Sequence, residues 1–237
     1  MIKNLHQSLY IYMKLLFRII FFFLLFFLSF VLGAQEISSK YSVSTKGIKI
    51  GELVWNLKQE NNLYENRILL KNKGILSAIY KFNGDYLSVG KIENGIFVSQ
   101  SYAHKWITKK KKKEVKIIFK NNKINTIKQT PFEDEFARID LFSLVDYSDP
   151  LTSFINILNN SQSSNTVDGR RVYTMKADEG LKRPEMKTIS IKNYTNIWAD
   201  HKRNDLEKII FLKSNESILP ESIEIYFKGS VFKVYKN

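Results

Sequence analysis

Hydrophobic residues recur at every second position through most of this chain, which is the period of a half-buried antiparallel strand rather than of a helix. Leu53, Trp55 and Leu57 alternate with Glu52, Asn56 and Lys58, and Val115, Ile117 and Phe119 alternate with Glu114, Lys116 and Lys120. Ile189 with Ile191, and Ile223 with Ile225 and Phe227, repeat the pattern. Between the runs stand Asn61-Asn62, Glu93-Asn94-Gly95, Asn121-Asn122 and Lys228-Gly229, residues that tolerate the positive φ of a tight hairpin turn. The last of these joins IEIYF to VFKVY as a C-terminal hairpin. This spacing predicts about ten to twelve short strands, too many for one flat sheet. The expected fold is mainly β: a curled antiparallel meander sheet, a roll or a barrel-like closure.

One segment breaks the alternation. Asp149 can cap a helix whose first residue is Pro150, and Leu151, Phe154, Ile155 and Leu158 then share one face. The helix is short and has to dock on the sheet. The polar run NNSQSSNT at 159–166 reads as a loop, and a second irregular stretch covers 178–185. There is no internal repeat, and 237 residues suffice for one domain with a sizeable core.

The first 34 residues follow another pattern. Basic Lys14 and Arg18 precede an apolar run at 19–32, which ends on the small residues Gly33 and Ala34. That is the order of a secretory signal peptide. Cleavage after Ala34, or alternatively Gly33, leaves a mature chain beginning near Gln35. The expected organisation is therefore a signal helix at 1–34 and a single β-rich domain at 35–237, exported to the periplasm. Met13 is an alternative start, since MKLLFRII opens a compact signal without the polar leader. The competing outcome is an uncleaved membrane anchor, because 15–34 approaches the length that crosses a bilayer. Arg18 and the small-residue end favour cleavage.

The chain has no cysteine, which excludes disulfides, thiolate metal sites and a lipid anchor on cysteine. Its formal net charge is +14, and +11 once the first 34 residues, with Lys3, Lys14 and Arg18 and no acid, are removed. Such a balance can serve a polyanionic partner. The joint richness in Lys, Ile, Asn and Phe also fits an AT-rich genome, and export makes nucleic acid an unsuitable partner.

Lys109, Lys110, Lys111, Lys112 and Lys113, preceded by Trp106, form the sharpest electrostatic feature. They read either as a docking patch for an anionic envelope surface or as a solvated hairpin end whose like charges discourage aggregation. Asp168-Gly169-Arg170-Arg171 offers a guanidinium fork to a carboxylate or phosphate, or else makes a turn in which one arginine pairs with a nearby acid. Glu133, Asp134 and Glu135 lack calcium-loop spacing and are expected to pair with lysines. His104 and His201 sit in no zinc pattern. No GxSxG, SxxK or glycine-rich phosphate loop occurs, so neither a catalytic set nor a cofactor is legible; Asp200-His201 beside Trp198 could orient an imidazole, with no activated serine to serve. Tyr80, Phe82, Tyr86, Phe97, Tyr102 and Trp106 would either line a lumen that holds an amphiphile or fill a barrel core.

GIKIGELVWNL, NGDYLSVGKIENGIFVSQSY, DPLTSFINIL, VDGRRVYTM and LPESIEIYFKGSVFKV, in this order and spacing, resemble an exported bacterial family known as domain of unknown function 3108. The resemblance spans roughly 41–234, and its most specific pieces are the start of the helix at Asp149-Pro150-Leu151 and the Asp168-Gly169-Arg170-Arg171 turn. It implies export and a β-rich fold, with no agreed activity. Some members carry cysteines flanking the part that matches 168–173; this sequence has none.

The expectation is an exported envelope protein serving as a noncatalytic binding or assembly factor for an amphiphile such as a lipid, an anionic envelope polymer or an envelope protein. Lys109, Lys110, Lys111, Lys112, Lys113, Arg170, Arg171 and Trp106 are the candidate contacts, without metal or cofactor. The alternatives are an envelope hydrolase or modifying enzyme whose residues converge only in the fold, and a signal-anchored membrane protein.

Overall fold

Where the sequence sets two turn-tolerant residues between alternating runs, the backbone reverses in two residues. Asn61-Asn62, Asn94-Gly95, Asn121-Asn122 and Lys228-Gly229 all carry positive φ at both positions, the geometry whose twist matches that of the strands it joins. A fifth pair, Lys46-Gly47, has the same geometry and was not among the turns predicted from sequence. The computed structural model of the protein describes residues 13–14, 16–18, 34–73, 82–178, 185–198 and 205–237. The predicted signal core at 19–32, Tyr80, the 179–184 part of the second irregular stretch, and the Asp200-His201 pair lie outside the described residues.

The chain divides into two compact units, Met1–Gln35 and Glu36–Asn237. In the first, residues 13, 14 and 16–18 are helical. The second unit is β-rich. Its strands are β1 (Gln35–Thr45), β2 (Ile48–Glu60), β3 (Leu63–Asn72), β4 (Phe82–Glu93), β5 (Ile96–Thr108), β6 (Lys112–Lys120), β7 (Lys123–Thr130), β8 (Tyr147–Ser148), β9 (Ser163–Val167), β10 (Arg171–Asp178), β11 (Met186–Asn196), β12 (Leu206–Leu212), β13 (Ser222–Phe227) and β14 (Ser230–Lys236). Fourteen strands among the described residues exceed the predicted ten to twelve, because the polar β9 and the two-residue β8 show no alternation.

All fourteen belong to one sheet in the order β7-β6-β5-β4-β3-β2-β1-β14-β13-β12-β11-β10-β9-β8. Each strand except β7 neighbours its successor in the chain, and β1 pairs antiparallel with β14, Val43 opposite Val234, so the first and last strands join the two halves of the meander. The remaining seam, between β7 and β8, is bridged where Lys123 meets Val145 and where Asp146 N–H donates to the Asn122 carbonyl at 2.9 Å. The result is a nearly closed, barrel-like sheet. Its turns alternate between two ends: 46–47, 109–111, 168–170 and 228–229 gather at one, and 61–62, 94–95 and 121–122 at the other.

The alternating residues point inward as expected: Trp55, Leu57, Val115, Ile117, Phe119, Ile189 and Ile223 are buried. The helix α1 (Pro150–Leu158) begins as predicted, with Pro150 in its first turn and the Asp149 carboxylate accepting from Leu151 N–H and Thr152 N–H. It does more than dock by one face. Every residue from Leu151 through Leu158 is buried, so α1 lies within the curled sheet. Phe154 stacks on Trp55 at 5.7 Å and meets Phe211 edge-on at 5.9 Å. Of the aromatics predicted to line a lumen or fill a core, Phe97 and Tyr102 are buried in the interior, while Phe82, Tyr86 and Trp106 are half-buried.

Polar positions on α1 survive burial because each finds a partner. Asp149 is fully buried, and its Oδ2 accepts from the hydroxyls of Ser88 at 2.7 Å, Ser99 at 2.7 Å and Thr152 at 2.6 Å. Tyr64 shares a 2.6 Å hydrogen bond with Thr152, and Asn66 joins Trp55 Nε1 at 2.6 Å to the Leu151 carbonyl at 3.3 Å. Removal from water pushes the Asp149 carboxyl up, while these donors pull it down.

Candidate functional site

The lysine hairpin is shaped by Thr108. Its backbone N–H donates to the Lys111 carbonyl at 2.8 Å, and its Oγ1 accepts from Lys111 N–H at 3.0 Å and Lys110 N–H at 3.3 Å. The turn is thereby held from within, and Lys109, Lys110, Lys111, Lys112 and Lys113 are all exposed. Glu114 answers two cations, Lys112 at 3.2 Å and Lys105 at 3.4 Å. Trp106 stands behind the hairpin and stacks on Phe82 at 5.4 Å, with ring planes 9° apart. Its ring lies over Gly84, where an added Cβ would come within 3.1 Å of it.

The Asp168-Gly169-Arg170-Arg171 turn reaches the same end of the barrel. Asp168 Oδ1 accepts from the Arg170 and Arg171 amides, both at 2.8 Å, the usual way an aspartate closes a turn on its own backbone. Gly169 has φ +91°, and a Cβ there would lie 2.5 Å from Val115 Cγ1, so both conformation and space demand glycine. Trp198 Nε1 donates to the Gly169 carbonyl at 2.9 Å. Each arginine is matched to acid: Arg170 to Glu133, and Arg171 to Asp205 at 2.9 Å and Asp168 at 3.5 Å. Arg171 also lies over the Tyr194 ring at 5.8 Å. Burial pushes the Asp168 carboxyl up, opposed by the Arg171 charge and the two amides.

The structure brings the two basic segments together. Gly169 packs against Val115 of β6, and partial desolvation, then the positive charges of Arg170, Lys111, Arg171 and Lys228, lower the Lys113 pKa. His104, beneath them, is held neutral down to about 4 by burial first and then by Arg170 and Lys113. Its Nδ1 lies 3.4 Å from the Tyr102 hydroxyl.

A further component was not legible as such. Thr130, the last residue of β7, lies opposite Glu114, so the chain that follows starts beside Lys112 and Lys113. In that segment Phe132 is 82% exposed and Phe136 96% exposed. Two of the three acids among them bind arginines, not the predicted lysines: Glu133 pairs with Arg170, and Glu135 with Arg138 at 3.0 Å. The sequence drew attention to the acids of PFEDEFA; the two phenylalanines four apart were the better signal. No group of metal-ligating side chains occurs among the described residues.

The family described as Protein of unknown function (DUF3108) matches residues 40–206. No sequence among the curated proteins matches the chain. Among solved structures, the chain resembles a beta-barrel-like protein of domain of unknown function DUF1849 from Brucella abortus, with 8% sequence identity and a TM-score of 0.49, over 84% of this chain and 94% of that one.

Proposed function

We propose that the chain, which belongs to the DUF3108 family of proteins of unknown function, is an exported, noncatalytic binding factor that docks on an anionic lipid surface through its lysine end. The observations that carry this reading are the exposure of Phe132 and Phe136 and the start of their segment at Thr130, which lies opposite Glu114 and so next to Lys112 and Lys113 on β6. Aromatic rings enter the headgroup boundary while lysines are drawn to anionic lipid, each contributing about 1 kcal/mol near the surface. Trp106, Arg170 and Arg171 act from behind: one stiffens the hairpin, and the arginines tie the phenylalanine segment and the turn to acids. An interior filled by its own side chains and by α1 supports surface docking over carriage within the lumen.

Export is part of the proposal. β1 begins at Gln35, directly after the predicted cleavage at Ala34. The mass of the protein recovered from cells will give Gln35 as first residue if the signal is removed; an intact N-terminus would make it a membrane-anchored protein.

Docking is tested by sedimenting residues 35–237, which contain a complete core, with phosphatidylglycerol-containing and with purely phosphatidylcholine vesicles. The expected result is salt-sensitive binding to the first alone, weakened at least tenfold by Phe132→Ser with Phe136→Ser and again by exchanging the five lysines for glutamine. Binding to both vesicles alike, or to an anionic wall polymer in place of vesicles, would overturn the lipid assignment.

A further inference from the structure

The end of the barrel away from the lysines has a different chemistry. β6 follows β5 only as far as Ile118 opposite Ser101, so residues 96–99 of β5 have no strand on that side. Asn156 of α1 stands in for one: its Oδ1 accepts from Phe97 N–H at 2.9 Å and its Nδ2 donates to the Phe97 carbonyl at 2.8 Å. Between this edge, the 121–122 turn, β8 and β9, the wall opens into a cleft of 480 Å³, within the roughly 300–1,000 Å³ of small-molecule sites.

Ten of the fifteen residues lining the cleft carry a hydroxyl or amide side chain, and none is Lys, Arg or His. In a chain with 37 Lys and Arg, that exclusion sets the cleft apart from the surface around it. The charges present are the carboxylates of Glu93 and Asp146, with no base in the lining to offset them. An anionic ligand would be repelled. Some of the polar groups are occupied, Ser99 by Asp149 and Asn156 by Phe97. The side chains of Asn122, Ser148, Ser161 and Ser163 make no hydrogen bond to the described residues. Unspent neutral donors and acceptors, two carboxylates able to accept from hydroxyls, and the apolar surface of exposed Ile96 and half-buried Tyr147 describe the complement of a ring that is hydroxylated at its rim and C–H on its face.

We infer that this cleft binds a short uncharged glycan. The site is independent of the docking end, since it shares no residue with it and lies at the opposite set of turns. The test is a titration of residues 35–237 with triacetylchitotriose, cellotriose and maltotriose, followed by amide chemical shifts. With at least one of the three, saturable shifts are expected among residues 94–99, 146–148 and 161–165. Ser163→Trp, which fills the cleft from an exposed position at the start of β9, should weaken that binding at least tenfold while leaving the melting temperature and vesicle binding unchanged. No saturable shift with any of the three at millimolar concentration, shifts centred elsewhere, or unaltered affinity in Ser163→Trp would overturn the inference. Loss of vesicle binding in the parent protein would instead strike only the docking end.

Discussion

His104 shows how the lysine end reports on itself. Burial first, and then the charges of Arg170 and Lys113, hold its folded pKa at about 4, whereas an unfolded histidine titrates near 6.5. Between those values the unfolded chain carries a proton that the folded chain refuses, so stability falls as pH drops from 6.5 towards 4. By pH 4.5 the loss from this residue is about 2 kcal/mol. Urea midpoints at pH 7 and 4.5 should therefore diverge less in His104→Gln than in the parent protein; equal divergence would mean that His104 is charged in the fold. From sequence His104 was merely a histidine outside any zinc pattern. Its setting depends on strands β4 to β6 and on a turn some sixty residues away, which no local spacing records. Lys109, Lys110, Lys111, Lys112 and Lys113 were legible as a cluster. That Arg170 and Arg171 share their end of the barrel was not.

At the scale of the element, α1 marks the boundary of what pattern can tell. Its cap, its proline and its apolar face were all visible, because capping depends on residues adjacent in sequence. Its enclosure was not visible, because Thr152, Ser153 and Asn156 have the composition of a solvent face. In the fold Ser153 accepts from Thr166 at 2.8 Å, Thr152 shares its hydroxyl with Tyr64 and Asp149, and Asn156 completes β5. Polar residues met by partners inside a barrel look, in sequence, like polar residues met by water. Asp149 carries most of this arrangement, so Asp149→Ala, which strands two amides and three hydroxyls in the core, should cost about 2–4 kcal/mol. Asp149→Asn keeps an acceptor for the amides and should cost distinctly less. Urea denaturation of the two variants checks the order, and equal losses would show that the cap contributes nothing beyond the hydroxyl ladder.

For the whole molecule, alternation and turn chemistry were enough to predict a curled meander, because both are written in residues two or four apart. Closure was not: it rests on β1 meeting β14 and on the bridge from Lys123 to Val145, pairings between distant segments. Closure is also what gives the molecule two chemically distinct ends, one cationic with bare phenylalanines, the other lined by hydroxyls and amides with no basic side chain. Because the chain has no cysteine, a single introduced thiol can report on either end alone. The decisive measurement is the fluorescence of an environment-sensitive dye on Phe136→Cys, compared with the same dye on Ile96→Cys at the opposite end, in residues 35–237 mixed with anionic vesicles. The account predicts a blue shift and quenching by brominated lipid at position 136 and neither at position 96. Equal response at both positions, or no response at 136 while the protein is bound, would contradict docking through the lysine end.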